Sequence, residues 1–176
     1  MCIRDRISTI DRIEVAAANP TAIEAAEAAG FQVSSLAEAS NLLELNANGA
    51  NDLASLDAVK VQVTWLNLSN ANLYDTAMEK LTSFENLTRL RLQGNPISDV
   101  GVEALIGLKY LESLNLNNTK ISDDVIESLQ KMPSLRNIYL FGTAVSEEAI
   151  TQLQTCLLYT SPSPRDLSTS RMPSSA

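Results

Sequence analysis

Residues 86–140 read NLTRLRLQGNPISDVGVEALIGLKYLESLNLNNTKISDDVIESLQKMPSLRNIYL, and this stretch aligns on itself without insertion or deletion. Apolar residues recur every 24 positions in columns that extend to both sides of it: Leu66, Leu90, Leu114 and Ile138; Leu68, Leu92, Leu116 and Leu140; Val63, Leu87, Leu111 and Leu135; Leu73, Ile97, Ile121 and Val145; Leu81, Leu105, Leu129 and Leu153. So many columns in phase indicate internal repeats. The repeats span residues 63–86, 87–110 and 111–134, and a fourth begins at 135 and breaks off near 155.

Each repeat has two halves with different apolar periods. In the first half, Leu90 and Leu92 alternate with Arg89, Arg91 and Gln93, which is the pattern of a strand with one buried side. The second half spaces its apolar residues by three, at Met78, Leu81 and Phe84, at Val102, Leu105 and Leu108, and at Ile126, Leu129 and Met132. This spacing predicts a helix with one face towards the core, so the fold class is α/β.

Residues 7–62 precede the regular repeats and are predicted to form an N-terminal α/β cap. Residues 7–40 are interpreted as a β-α-β unit, whose helix has Asn19 as its cap, Pro20 at its first position and Gly30 beyond its end. Residues 42–62 form a degenerate repeat, because Leu43 and Leu45 lie 23 positions before Leu66 and Leu68. Terminal repeats are commonly atypical because they shield the end of a stacked core.

Serine followed by acidic residues marks the predicted start of each repeat helix, at Ser98-Asp99, Ser122-Asp123-Asp124 and Ser146-Glu147-Glu148. A serine hydroxyl can accept a hydrogen bond from a free amide of the first turn, and carboxylates there oppose the positive end of the helix dipole. The alternative is metal binding, which requires a denser set of oxygen ligands. We therefore interpret these residues as caps.

The pattern LxxLxLxxNxL, present here as LTRLRLQGNPI, resembles the leucine-rich repeat. That resemblance implies a solenoid with a parallel sheet on its concave side and helices on its convex side. Asn95 occupies the asparagine position of the family, whereas Ala71, Thr119 and Thr143 replace it in the other repeats. We therefore expect a partial asparagine ladder in which threonine hydroxyls substitute.

A finer resemblance covers nearly all of residues 7–155. The motif I/V-S/T-D-x-G/A-V/L, the segment QVTWLNL and the segment NPTAIEAAEAAGFQV resemble the C-terminal repeat region of bacterial membrane proteins of the planctomycete cytochrome c type. The CxxCH haem motif of that family is absent, so no haem function transfers. The resemblance implies a membrane-anchored parent protein with these repeats outside the cytoplasm and with its other domains as partners.

The two ends of the chain lack the repeat pattern. A DNA element that encodes the start MCIRDR can, on its opposite strand, encode the residues from Cys156 to Thr160. Residues 1–6 and 156–176 thus resemble translated sequencing-adapter DNA, and residues 156–176 are expected to be disordered and not to pack on the repeats. The alternative is a natural polar tail with a short charged start. Under the adapter interpretation, the chain is a fragment of a longer protein, from a metagenomic source.

Composition excludes several classes of function. The chain has 13 Lys+Arg and 21 Asp+Glu, and leaving out Arg4, Arg6, Arg165, Arg171, Asp5 and Asp166 leaves 9 and 19, a net charge of −10. This acidity disfavours general binding of nucleic acid or anionic membranes. With no histidine and with both cysteines in the suspect ends, the commonest catalytic bases, nucleophiles and soft-metal ligands are missing. No phosphate-binding glycine loop is present, so we expect neither catalysis, nor a cofactor, nor a metal.

The outward positions of the strands remain as candidates for function. They combine arginine and aromatic residues, which are enriched at protein interfaces, with amides. We predict that a protein or peptide binds there, through Trp65, Asn67, Arg89, Arg91, Gln93, Asn115, Asn117, Asn137, Tyr139 and Phe141, with Trp65 half-buried on the cap side. The alternatives are that these are ordinary strand residues, or that the repeats are a structural spacer without a ligand.

Overall fold

The computed structural model describes residues 13–36 and 41–156, and within them strands and helices alternate along the chain. The first part contains helix α1 (Pro20–Ala28), strands β1 (Gln32–Ser35) and β2 (Leu43–Asn46), and a 3-10 helix at Leu53–Leu56. The repeats contribute β3 (Val63–Asn67), α2 (Asp75–Leu81), β4 (Arg89–Arg91), α3 (Asp99–Ala104) with a 3-10 extension at Leu105–Gly107, β5 (Ser113–Asn115), α4 (Val125–Gln130), β6 (Asn137–Tyr139) and α5 (Glu147–Cys156). The α/β prediction is confirmed.

The six strands form one sheet in sequence order, from β1 to β6. Strands β2 to β6 pair in parallel, and from β3 onward each strand aligns with the residue 24 positions later, so that Trp65 pairs with Arg89 and Arg89 with Ser113. The 24-residue period of the sequence is therefore the register of the sheet. Helices α2 to α5 pack side by side in the same order on the opposite side of the core.

Strand β1 corrects the prediction of a wholly parallel sheet, because it pairs antiparallel with β2. Only residues 36–42 connect the two strands. A parallel pair needs a crossover of about a dozen residues or more, whereas a short connection suffices for an antiparallel pair. The short connection therefore explains the reversed direction of β1.

The first strand of the predicted β-α-β unit covers residues 7–15, and the described part of it, residues 13–15, forms no strand. The main-chain carbonyls of Val15 and Ala16 instead accept hydrogen bonds from the side-chain amides of Asn41, at 2.8 Å, and Gln62, at 3.2 Å. Residues 7–12, the ends 1–6 and 157–176, and residues 37–40 lie outside the described residues. Cys156 is the last residue of α5.

Helix α1 begins as predicted. The Asn19 side-chain oxygen accepts a hydrogen bond from the Thr21 amide, Pro20 is the first helical residue, and the chain turns at Gly30 with a φ of +95°. Phe31 then enters the core, where it is almost fully buried. Helix α1 packs against β1 and against the 3-10 helix.

The degenerate repeat is shorter than the alignment predicted. Leu45, not Leu43, pairs with Leu66, and an irregularity between Leu43 and Glu44 shifts the register. Ala47 consequently takes the position that leucine occupies in later repeats, and it is buried. The predicted helical face of Leu53 and Leu56 is buried as expected, but a 3-10 helix supplies it, which needs fewer residues than an α-helix with its caps.

The repeat columns fill a single core between the sheet and the helices. The predicted inward residues of the strands and the residues spaced by three in the second halves are all buried. Asn95 is buried too; it donates to the carbonyls of Leu68 and Leu92 and accepts from the Leu73 amide, so it joins two repeats. The hydroxyls of Thr119 and Thr143 donate only within their own repeats, so the ladder is partial as expected, but these threonines do not replace the bond that Asn95 makes to the preceding repeat.

The serines at the helix starts bond differently from the prediction. Ser98 precedes α3 but makes no side-chain capping bond to that helix. Its amide and hydroxyl instead donate to the Asp75 carboxylate of the preceding repeat. Ser122 and Ser146 do the same to Asp99 and Asp123. The Ser146 hydroxyl also accepts from the Ala149 amide in the first turn of α5, at 3.2 Å, whereas the Ser122 hydroxyl accepts from the Asp124 amide, at 3.4 Å, which precedes α4. The cap interpretation is therefore wrong for Ser98 and Ser122 and incomplete for Ser146.

Candidate binding face of the sheet

The strands place alternate side chains on the side of the sheet that faces away from the helices. Because Leu66, Leu90, Leu114 and Ile138 point into the core, their neighbours along each strand point out. We call this surface the outer face. Among the predicted binding residues it contains Trp65, Asn67, Arg89, Arg91, Asn115, Asn137 and Tyr139, together with Glu44, Asn46 and Ser113. The same alternation adds the predicted residues Gln93, Asn117 and Phe141, together with Ser69, each two residues beyond the end of its strand, where backbone hydrogen bonds between the repeats continue.

The residues of the outer face differ in how far they reach solvent. Arg89, Arg91 and Phe141 are exposed, and Phe141 is 67% accessible. The other seven predicted residues are half-buried, including Trp65, as expected for its place beside the cap. The accessible part of the face therefore lies over β4 and at the end of β6.

Trp65 and Arg89 form a stacked pair across β3 and β4. The guanidinium carbon of Arg89 lies 4.0 Å from the centre of the Trp65 ring, which is a cation–π contact. The indole Nε1 is buried and has no hydrogen-bond partner among the described residues. The guanidinium therefore lies over the ring, and its N–H groups stay available to an acceptor.

Three of the predicted asparagines are committed to hydrogen bonds within the sheet. The Asn67 amide donates to Asn46 at 2.9 Å and its oxygen accepts from Ser69. Asn115 and Asn117 likewise bind neighbouring positions of the outer face, with bonds to Gln93, to the amide of Asn117 and to the amide of Phe141. These hydrogen bonds fix the side chains of the outer face, and they leave fewer polar groups available to a partner.

Arg91 and Tyr139 contrast with those amides. Within residues 13–36 and 41–156, the ion pairs are Lys60–Asp57 and Lys131–Glu127, so neither Arg89 nor Arg91 has a carboxylate within 4 Å. The Tyr139 hydroxyl has no hydrogen-bond partner in the same part of the chain. The outer face thus carries cations and a hydroxyl that are free to bind a partner.

Two depressions flank the arginines of β4. The larger, of about 360 Å³, has Ser113 and Asn115 of β5 as its floor, Arg89 and Arg91 as one wall, and Asn137 and Tyr139 as the other. We call this depression the trough. The smaller, of about 70 Å³, lies between Glu44, Trp65, Asn67 and the same arginines.

Glu44 and Ser113 were not among the predicted site residues. Ser113 carries a short side chain and forms the floor of the trough, a role that follows only from the larger residues on both sides. Glu44 lies in the degenerate repeat, and only the observed register places it beside Trp65. The signal for Glu44 was the alternation of Leu43 and Leu45, which puts the residue between them on the outward side.

The charge of the outer face differs from that of the whole chain. The chain has a formal net charge of −8, whereas the described positions of the face include two arginines and a single carboxylate, Glu44. On the opposite side of the core, a hydrogen bond from the Lys131 ammonium lowers the pKa of Glu127, and Glu127 raises the pKa of Lys131, at the exposed end of α4. The face is therefore a local basic surface on an acidic protein.

In the two described ranges, no three His, Cys, Asp or Glu side chains come together as a possible set of metal ligands. No helix there has the length and apolar character that a membrane crossing requires.

Comparison with known proteins is informative for the repeats. No curated protein matches the chain. Residues 85–145 match the family model described as leucine rich repeat. The match covers β4, α3, β5, α4 and β6, and its three strands pair in the 24-residue register. This match supports assignment of the repeats to the leucine-rich repeat family.

Proposed function

We propose that this chain is a non-catalytic module that binds a protein or peptide through the outer face, with the repeats forming a curved solenoid whose concave side is that face. The observation that carries the proposal is the set of free side chains there: Arg89 and Arg91 lack a carboxylate partner, and Tyr139 and Phe141 present aromatic surface. Arginine and aromatic residues are the types that dominate binding energy at protein interfaces.

Two further points support this function. Leucine-rich repeat domains generally mediate protein–protein interactions, and residues 85–145 match that family. The hydrogen bonds of Asn67, Asn115 and Asn117 hold the outer face in one arrangement before a partner arrives. Such preorganisation reduces the entropy lost on binding.

The test compares two double variants. Arg91→Ala with Tyr139→Ala removes a cation and an aromatic ring from the outer face, whereas Lys80→Ala with Tyr74→Ala removes the same two types from α2 and the residue before it, on the opposite side. A protein captured by the wild-type chain and identified should bind the control variant unchanged and the outer-face variant at least about tenfold more weakly. Equal binding to the two variants would rule out the outer face as the binding site.

The alternative is a structural spacer with no ligand of its own, within a membrane-anchored, extracytoplasmic parent of the cytochrome c type, whose other domains would be its partners. The engagement of Asn67, Asn115 and Asn117 in the sheet favours this alternative, because much of the polar face then serves the fold. Failure of the wild-type chain to capture any protein, under conditions where a known binder is captured, would favour the spacer.

We also propose that residues 1–6 and 156–176 are translated sequencing-adapter DNA. This proposal rests on the codon relationship between the two ends, and it is tested by sequencing the locus from unfragmented DNA. Different residues before Ile7 and after Thr155 would support the proposal, and the same residues in the genome would refute it.

A further inference from the structure

We propose that the partner segment is an extended peptide with alternating acidic and apolar residues that lies in the trough along β5. This inference rests on the proposed function and names the chemistry of the partner. Two carboxylates of the peptide face Arg89 and Arg91 on one wall, the apolar residue between them faces Tyr139 on the other wall, and the apolar residue that follows reaches Phe141 beyond the trough.

The positive charge of Arg89 and Arg91 favours an acidic peptide. Arg89 and Arg91 are exposed, and neither has a carboxylate within ion-pair distance in the described parts of the chain. Because the whole chain is acidic, an acidic partner is repelled elsewhere and attracted at this wall. The arginine geometry also suits carboxylates, since a guanidinium can donate two parallel hydrogen bonds to one carboxylate.

The trough fits one extended chain. Its floor consists of the short side chains Ser113 and Asn115, and its walls stand on β4 and β6, which are two strand spacings apart, or roughly 10 Å. A peptide in this space can run parallel to the strands, with its alternate side chains directed to the two walls. The hydroxyls of Ser113 and Tyr139 lie along it as further hydrogen-bonding groups.

The spacing of the two arginines along their wall then predicts the order of residues in the peptide. Arg89 and Arg91 are two residues apart on one strand, so their side chains start about 7 Å apart, and this equals the distance between residues i and i+2 of an extended peptide. The intervening residue faces Tyr139, and the next one can reach Phe141, which is 67% accessible. Glu44 borders the smaller depression and disfavours carboxylates there, which directs them to the trough.

The experiment uses the full chain and three synthetic peptides with a fluorescent label and neutral ends. The first contains Glu-Leu-Glu-Phe between glycines, the second replaces both Glu by Gln, and the third contains the same residues as Glu-Glu-Leu-Phe. Anisotropy at low and moderate salt should show the first peptide binding about tenfold more tightly than either of the others, with affinity falling as salt rises. Equal affinity for the Glu and Gln peptides would overturn the proposal.

Variants locate the binding. Arg91→Gln should weaken binding of the first peptide about tenfold, as expected for loss of a charge-assisted hydrogen bond, and Lys80→Gln on α2 should not. Both positions are exposed, so both variants should retain the circular dichroism of the wild type. Unchanged binding by Arg91→Gln would overturn the proposed site.

A selection from a random peptide library separates this proposal from the proposed function. Selected peptides should be enriched in acidic residues two positions apart and should lose binding to Arg91→Gln. Peptides without acidic enrichment that still depend on Tyr139 would overturn the acidic partner and leave the binding function standing. Selected peptides that are insensitive to every outer-face variant would overturn both proposals. A preference for phosphorylated peptides or oligonucleotides would overturn only the carboxylate partner.

Discussion

The carboxylate of Asp75 accepts two hydrogen bonds from Ser98, one from its amide at 2.8 Å and one from its hydroxyl at 2.6 Å. The two residues belong to consecutive repeats, and both lie at helix starts. The same pair recurs as Asp99 with Ser122 and as Asp123 with Ser146. The three pairs thereby join four successive repeats at or just before their helix starts, in addition to the contacts in the core.

Removing one of these carboxylates should destabilise the fold by loosening two neighbouring repeats. Asp99→Ala deprives the Ser122 amide and hydroxyl of their acceptor in a half-buried position, which should lower the free energy of unfolding by about 1–3 kcal/mol. Ser122→Ala should cost less, because the amide of residue 122 keeps its bond. Urea denaturation of both variants measures this difference.

A double-mutant cycle shows whether the stability lost in Asp99→Ala comes from its contact with Ser122. Combining Asp99→Ala with Ser122→Ala should cost less than the sum of the single variants by about 0.5 kcal/mol or more, as for residues in direct contact. Glu85→Ala, at an exposed site, serves as the control and should change stability by less than about 0.5 kcal/mol. Additive effects of the two substitutions would show that Asp99 stabilises its own helix only.

The aspartate–serine pairs show where the sequence is informative and where it misleads. Both residue types recur every 24 positions, so the columns of Asp75, Asp99 and Asp123 and of Ser98, Ser122 and Ser146 are visible in the sequence. A serine next to an aspartate at a helix start has two possible uses, a cap within its own helix or a bond across repeats. Only the distance between neighbouring helix starts, which is a property of the assembled fold, decides between them.

Asn95 should be the most sensitive polar position in the core. Its side chain satisfies the Leu73 amide and the carbonyls of Leu68 and Leu92, all in buried surroundings. Asn95→Ala leaves these groups without that partner, and we expect a loss of about 3 kcal/mol or more in unfolding free energy. Thr119→Ala removes one bond within a repeat and should cost about 1 kcal/mol. Similar losses for the two variants would contradict the view that Asn95 joins repeats.

Gly94 should tolerate no side chain, for a reason that involves the preceding repeat. Its φ is +71°, and an added Cβ would press on the Asn70 side chain, whose Cγ lies 3.1 Å away. Gly94→Ala should therefore cost about 1–3 kcal/mol, from the left-handed backbone and from displacement of Asn70. Gly107→Ala, where nothing lies within 4 Å of the added Cβ, should be close to neutral.

The steric part of the Gly94 effect can be separated from the backbone part. Asn70→Gly removes the side chain that the new Cβ would meet, and glycine accepts the φ of +55° at that position. The double variant should regain part of the stability that Gly94→Ala loses. Thermal denaturation of the four proteins measures this recovery, and no recovery would assign the whole loss to the backbone.

The sequence predicts which residues share the outer face, but it does not predict which of their side chains are already hydrogen-bonded within the sheet. Alternation along the strands assigned Arg91, Tyr139 and Asn115 to the same side of the sheet, which the structure also shows. It gave no indication that the Asn115 amide is used by Gln93, because that depends on side-chain conformations between neighbouring repeats. The antiparallel β1 and the shortened degenerate repeat escaped prediction because neither follows the 24-residue period.

The contact between Arg89 and Trp65 can be followed directly, since the chain has one tryptophan. The guanidinium covers the half-buried ring at 4.0 Å. Arg89→Ala should expose the indole to water, shift its fluorescence emission to longer wavelength, and cost about 0.5–1 kcal/mol of stability. Arg91→Ala, two residues along the same strand and without such a contact, should leave the emission unchanged.

A bound peptide in the trough should leave this fluorescence largely unchanged, because Trp65 lines the smaller depression on the other side of β4. Titration of the wild-type chain with the Glu-Leu-Glu-Phe peptide, followed by tryptophan emission, tests that arrangement. An emission shift as large as that of Arg89→Ala would mean that the peptide pulls Arg89 off the ring and that its carboxylates enter the smaller depression. A small shift, together with binding seen by anisotropy, agrees with carboxylates held over β5, since Arg89 can then donate to them while it remains stacked on Trp65.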